Sequence, residues 1–166
     1  HKHTPKEGKL VALHLGSLYP NASLKMLQYM MKEVFPVLSN LPFKLELRFI
    51  GKYDPTKVPK SKWKNIEFIY LGPVESIDDE FVKGDVFLSP LKYPVGIRTR
   101  ILAALSYGIP VIADYSSASA FPELTNGKDI VFTNTPKEIF DWLNTFYKNC
   151  DRAASEIGAN GRLAWE

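Results

Sequence analysis

Six short apolar runs separated by helical patterns are the strongest constraint on what this chain can become. The runs cover residues 9–17, 43–50, 65–71, 85–91, 110–114 and 129–133. They read as near-continuous hydrophobic stretches rather than strict alternations, which is how strands look when both sheet faces are covered. Between them, Leu24, Leu27, Met31, Val34 and Leu38 recur at spacings of three and four after a possible cap at Asn21. That predicts a helix with one buried stripe, bent or ended near Pro36. A short helix is expected over 76–83, with Ser76 as cap and Asp78 and Asp79 in its first turn. Another is expected over 97–107. A further helix starts at Pro136, with Ile139, Phe140, Leu143, Phe146 and Tyr147 facing inward, and residues 153–166 read as helical. Residues 54–64 are polar and broken by prolines. Strands separated by helices predict one doubly wound α/β domain, with a six-stranded, mostly parallel sheet flanked by helices.

Composition narrows the classes of function. With 21 Lys+Arg against 18 Asp+Glu, the formal charge is +3, too mild to predict nucleic-acid binding. Lysines cluster over 52–64, but the prolines among them point to a solvated loop. Cys150 is the only cysteine, so no intrachain disulfide can form and a reducing, cytoplasmic setting is expected. No apolar run approaches the ~20 residues that cross a bilayer, and no signal peptide is read. The start at His1 and the stop inside a helical pattern predict a piece of a longer protein, with residues 1–8 a linker or tag remnant. His1, His3 and His14 lack metal-ligand spacing, and no metal or cofactor is expected.

In a sheet of this kind ligands bind beyond the carboxyl ends of the strands. That edge should gather Gly16, Ser17, Gly51, Lys52, Gly72, Pro73, Val74, Val95, Gly96 and Asp114. Small residues there let backbone approach a ligand closely, although glycine also simply makes tight turns. Arg98 and Arg100 fall in the first turn of the 97–107 helix, the wrong end for cations because the helix dipole is positive there. The same geometry suits an anion, since backbone N–H groups and guanidinium forks can converge on a phosphate. Two solvated arginines are the plainer reading of the same pattern.

Several blocks in order carry a resemblance: Gly16-Ser-Leu-Tyr-Pro-Asn21 through Leu27, Leu47-Arg-Phe-Ile-Gly51, Ile66 through Gly72-Pro-Val74, and Asp85-Val-Phe-Leu-Ser-Pro90. The most specific is Gly96-Ile-Arg-Thr-Arg-Ile-Leu-Ala-Ala-Leu-Ser-Tyr-Gly-Ile-Pro-Val-Ile112. Pro122-Glu123 and Asp129-Ile-Val-Phe132 close the series. Over nearly the whole chain they resemble the C-terminal, donor-binding, Rossmann-like domain of group 1 retaining glycosyltransferases of the GT-B fold.

The resemblance implies a nucleoside diphosphate sugar as donor substrate, of UDP, GDP or ADP type. It implies an acceptor held mainly by an N-terminal domain, and a setting in polysaccharide assembly with possible peripheral association at the inner membrane face. In this reading Arg98, Arg100 and the Thr99 N–H stabilise the leaving diphosphate, helped by Gly16 and Ser17 N–H groups. The base lies near Gly51, Lys52, Gly72, Pro73 and Val74, and the sugar near Val95, Gly96 and residues 115–119. Glu123 is the one carboxylate expected near the donor edge, to touch the sugar or to cap a turn.

Two departures from the family pattern matter. Glutamates that usually contact the sugar and the ribose are replaced by Val95 and Ala103, and alanine accepts no hydrogen bond from a ribose diol. A phosphate-binding arginine and lysine near the first strand are likewise absent, with Ser17 and Ser23 near their places. A degenerate, non-catalytic binding or structural module therefore stays open beside a transferase, which as an isolated domain should be inactive. A phosphate-accepting receiver is disfavoured because the first and third strands end in Gly16-Ser17 and Gly72-Pro73 rather than in acidic residues. Sugar-nucleotide epimerases share the two-domain architecture and remain a further alternative.

Overall fold

A computed structural model describes residues 7–18, 21–60, 63–92 and 97–166. Six strands form one sheet: β1 (Lys9–Leu15), β2 (Lys44–Ile50), β3 (Ile66–Gly72), β4 (Val86–Ser89), β5 (Val111–Asp114) and β6 (Val131–Thr133). Their spatial order is β3-β2-β1-β4-β5-β6 and every pairing is parallel, so the expected mostly parallel sheet is wholly so. β1 and β2 run in register from Lys9 opposite Lys44 to Leu15 opposite Ile50. All residues of β4 and β5 are buried, which explains their unbroken apolar sequence. The order reverses between β1 and β4, and that reversal opens the crevice where doubly wound folds take ligands.

β6 is shorter than the sequence predicts. Asp129 is spent on a turn instead, its carboxylate accepting from the Thr125 N–H at 2.9 Å while its own N–H donates to the Thr125 carbonyl. The strand begins only at Val131.

The first helix shows how one proline redirects a hydrophobic stripe. α1 (Asn21–Tyr29) passes into a π-helical turn over Met30–Val34 before α2 (Phe35–Leu38) resumes. Pro36 has no N–H to donate, and its ring would strike the carbonyl four residues back in a regular helix. Widening the preceding turn relieves that clash, and Phe35 donates to Met30 instead. The extra residue widens the buried face: Met30 joins it, while Met31 is half-buried against the core and Leu27, Val34 and Leu38 are buried as the stripe predicts. Phe35 then meets Trp63 and Phe68 edge-on, at 5.2 and 4.9 Å between ring centres, and the half-buried Trp63 packs against the core.

α3 (Ile77–Lys83) follows an extended Ser76, but the Ser76 side chain makes no cap bond. Its acidic residues find other partners: Asp78 accepts from the Tyr107 hydroxyl, and Glu80 pairs with Arg48 and Lys83, both at 3.1 Å. Tyr107 also stacks on Phe81 at 4.2 Å, a packing role. α4 (Ile97–Ser106) follows β4 across the switch point. α5 (Pro136–Lys148) is capped by Thr135, and α6 (Cys150–Trp165) packs on α4's end, with Gly158 against the Gly108 carbonyl. Among the described residues no helix is long and apolar enough to cross a membrane.

Candidate functional site

At the carboxyl edge, three strand ends are laced into a staircase. The Gly16 N–H donates to the Ile50 carbonyl at 2.8 Å, and the Gly51 N–H to the Gly72 carbonyl at 2.9 Å. The Lys52 carbonyl accepts from the Leu18 N–H at 2.8 Å and from the Ser17 hydroxyl at 3.3 Å. The Gly16 N–H is thus committed within the sheet, which corrects the expectation that it serves a phosphate. What Gly16 supplies is space. Its φ is +138°, and a Cβ built there would lie 2.5 Å from Arg100 Cζ and 2.6 Å from Nε. Gly51, at φ +139°, is as tightly placed: a Cβ there would meet the Gly16 carbonyl oxygen at 2.5 Å.

Arg100 is therefore brought from α4 across the switch point onto the end of β1. With no side chain at Gly16, the guanidinium can pack directly against the backbone there. Arg100 is half-buried, and desolvation lowers its pKa, because the charged form loses hydration. Its Nη1 is buried and has no hydrogen-bond partner. A cation held in this way has a strong unmet preference for an anionic acceptor.

Arg98, two residues earlier, turns elsewhere. Its guanidinium donates to the Ala120 carbonyl, pairs with Glu123 Oε1 at 2.9 Å and lies 5.0 Å over the Phe121 ring. Glu123 is held below the usual carboxylate range, first by its own backbone N–H and then by Arg98. The two arginines that the sequence joins in one site thus diverge: one sits at the crevice, the other is tied to the segment after β5. That segment is a 3-10 turn, Tyr115–Ala120, capped by the Asp114 carboxylate accepting from the Ser116 N–H at 3.0 Å. The Glu123 carboxylate bonds its own backbone N–H and pairs with Arg98.

The remaining predicted residues fall as follows. Lys52, Pro73 and Thr99 are exposed, Val74 and Ala103 half-buried, and Gly72 buried at the end of β3. Ala103 lies one turn along α4 from Arg100 and offers no side-chain acceptor. Val95 and Gly96 lie outside the described residues. Among the described residues no group of three or more His, Cys, Asp or Glu is placed to hold a metal.

Sequence reasoning missed three buried polar groups at this edge: His14 on β1, Ser89 ending β4 and Ser117 in the 3-10 turn. His14 Nε2, Ser89 Oγ and Ser117 Oγ are all buried without a hydrogen-bond partner. The signal for His14 was its place in a strand otherwise apolar from Leu10 to Leu15, where a polar ring needs a reason.

Residues 9–149 match the family described as glycosyl transferases group 1. No curated protein matches the sequence. Among solved structures, HepE of Anabaena in complex with UDP-glucose is similar, with a TM-score of 0.72 at 16% identity over 95% of this chain. The match spans 44% of that protein's length. Sucrose-phosphate synthase from Thermosynechococcus elongatus is similar at a TM-score of 0.66 and 17% identity, over 94% of this chain and 40% of its own. The catalytic domain of cholesterol-alpha-glucosyltransferase from Helicobacter pylori has a TM-score of 0.66 at 14% identity, over 94% of this chain and 96% of that one. At these identities the likeness is one of fold.

Proposed function

The chain belongs to the group 1 glycosyltransferases, and from that premise we propose that it is the nucleotide-sugar-binding half of a transferase whose acceptor is held mainly by an N-terminal domain. The observation that carries this reading is the Arg100 guanidinium laid on Gly16 at the switch point, with a buried and unpaired Nη1. A diphosphate in the crevice gives that group the anionic acceptor it lacks. The complex of HepE with UDP-glucose, on the same fold, agrees with a nucleotide sugar as donor. The greater length of HepE agrees with a second domain.

The chemistry follows from charge. As the sugar leaves, negative charge grows on the diphosphate, and a fixed donor aimed at it lowers the barrier. Arg100 fits that role because its side chain is already confined and partly desolvated, so little reorganisation is needed. The Thr99 N–H, in the first turn of α4, adds a backbone donor. The base lies toward Gly51, Lys52, Gly72, Pro73 and Val74, and the sugar toward Val95, Gly96 and the 3-10 turn. Ala103 removes the usual carboxylate for the ribose, so binding by this domain is weak.

A second reading, a non-catalytic binding module, draws on two observations: Val95 and Ala103 lack carboxylates, and Arg98 is tied to Glu123. A thermal-shift panel separates the two. Millimolar UDP, GDP and ADP are added to the wild-type domain and to Arg98→Ala and Arg100→Ala. Stabilisation by one nucleotide that disappears in Arg100→Ala is expected for the donor-binding half. A flat response to all three nucleotides overturns it in favour of the module.

A further inference from the structure

At β6, the last strand of the sheet, a cleft of about 540 Å³ lies between the strand, the turn after β5 and α5. Its volume falls in the range of small-molecule sites, about 300–1,000 Å³. Val131, Phe132 and Thr133 form a buried floor, while most of the rim is exposed. Tyr115 follows β5 directly, and its ring turns toward β6 to meet Phe132 edge-on, at 6.0 Å between ring centres. That residue is 50% exposed, and the half-buried Trp142 of α5 lines the cleft with it.

The rest of the lining is polar, yet among the described residues it contains no cation. Asn126 and Asn134 bring amides, Thr145 a hydroxyl, and Glu138 and Asp141 carboxylates. Glu138 accepts from the Asn134 N–H, and Asp141 pairs with Lys137, which stands outside the lining. A carboxylate has about four acceptor sites, so both keep capacity to spare. Asn126 Oδ1 accepts from the Phe132 N–H at 2.8 Å, and its amide nitrogen has two protons to donate. The same bond takes away the donor that an added peptide strand would use at Phe132.

Aromatic rings beside amides and carboxylates match the two-sided chemistry of a pyranose. Its C–H face is apolar, and its rim of hydroxyls needs both donors and acceptors. We infer that this cleft is a binding site for a neutral oligosaccharide: Tyr115 and Trp142 take ring faces, while Asn126, Glu138 and Asp141 take hydroxyls. A phosphate or another anion would meet two carboxylates and no cation of the lining. Position supports the same ligand. β6 lies two strands from β4, about 10 Å at the usual strand spacing, on the side of the switch point away from β1. Tyr115 and Asn134 follow the carboxyl ends of β5 and β6, so cleft and crevice share one edge. A glycan with its end in the crevice can continue over those strand ends into the cleft. That the glycan is the acceptor or product chain rests on the function proposed above; that the cleft takes a neutral oligosaccharide does not.

Titration of the isotope-labelled protein with maltopentaose and with cellopentaose, followed by NMR, tests the site. At millimolar concentration one of the two should shift the Trp142 indole signal and the backbone signals of Tyr115, Phe132 and Asn134. Tyr115→Ala, a change at an exposed ring, should weaken that binding about fivefold. Thr145→Arg, an exposed change that puts a long side chain into the cleft, should abolish it. Pentagalacturonate, an anionic chain of equal length, should bind more weakly than the neutral probe. Cleft signals that stay in place with both neutral probes overturn the inference, as does unchanged affinity in either variant or tighter binding of the anionic chain. Cleft signals that move with protein concentration alone would show a second copy seated there, and overturn it too. Nucleotide binding is read separately, by thermal shift. A protein that takes the glycan but none of UDP, GDP and ADP keeps the site and loses the proposed function; nucleotide binding without glycan shifts does the reverse.

Discussion

Gly16 and Gly51 decide how near Arg100 and the backbone can come at the crevice, and they should respond differently to a methyl group. Both have φ values that L residues adopt only under strain, costing roughly 1–3 kcal/mol. At Gly16 the obstructing atoms are the end of a flexible side chain, which can move away. At Gly51 they are the Gly16 carbonyl oxygen at 2.5 Å and carbon at 2.6 Å, which cannot move without disturbing β1. Urea unfolding should therefore rank Gly51→Ala as the more destabilised variant, and the opposite order would contradict the geometry. His14 supplies a second expectation. Its pKa is lowered from 6.5 to about 4, so between those values the unfolded chain takes up a proton that the folded chain refuses. Stability is full above pH 6.5 and falls as the pH drops through that window, by about 3 kcal/mol at the limit. Unfolding free energies measured from pH 7 to 4 should lose this slope in His14→Phe; an unchanged slope would show that His14 is not its source.

At the scale of single elements, local chemistry was legible where caps and prolines act alone. Pro136 starts α5 as read from the sequence, and Thr135 completes the start by accepting from the Glu138 N–H at 3.3 Å. The Glu138 carboxylate in turn accepts from the N–H of Asn134, the residue before the cap, at 2.6 Å, a close relative of the capping box. Thr135→Ala should cost about 1 kcal/mol, a melting shift of about 2–4 °C in a domain of this size. Lys137→Ala, which removes only the exposed pair with Asp141, should shift melting far less. Equal shifts would mean that the cap contributes nothing special. The α1 stripe omitted Met30, which is buried, because a period of 3.6 assumes regular turns and Pro36 widens one of them. The Ser76 cap failed for another reason: a serine at the right position says nothing of where its hydroxyl turns.

For the molecule as a whole, alternation of apolar runs and helical patterns was enough to give the parallel sheet and its ligand edge. Strand order follows from connection rules once the elements are known, so the switch point between β1 and β4 was within reach. The site was legible only in part. Arg100 lies where its helix start predicts, but Arg98 shares the same sequence signal and pairs instead with Glu123, 25 residues away. Such long-range pairing is invisible to local pattern, as is the enclosure of His14 by strands β2 and β4. The central claim is that Arg100 meets a diphosphate, and a binding cycle tests it most directly. Calorimetric titration compares the stabilising nucleoside diphosphate with its parent nucleoside, in wild type and in Arg100→Ala. Loss of the guanidinium should weaken the diphosphate by about 10–100-fold and leave the nucleoside unchanged. An equal effect on both ligands, or none on either, would contradict the account.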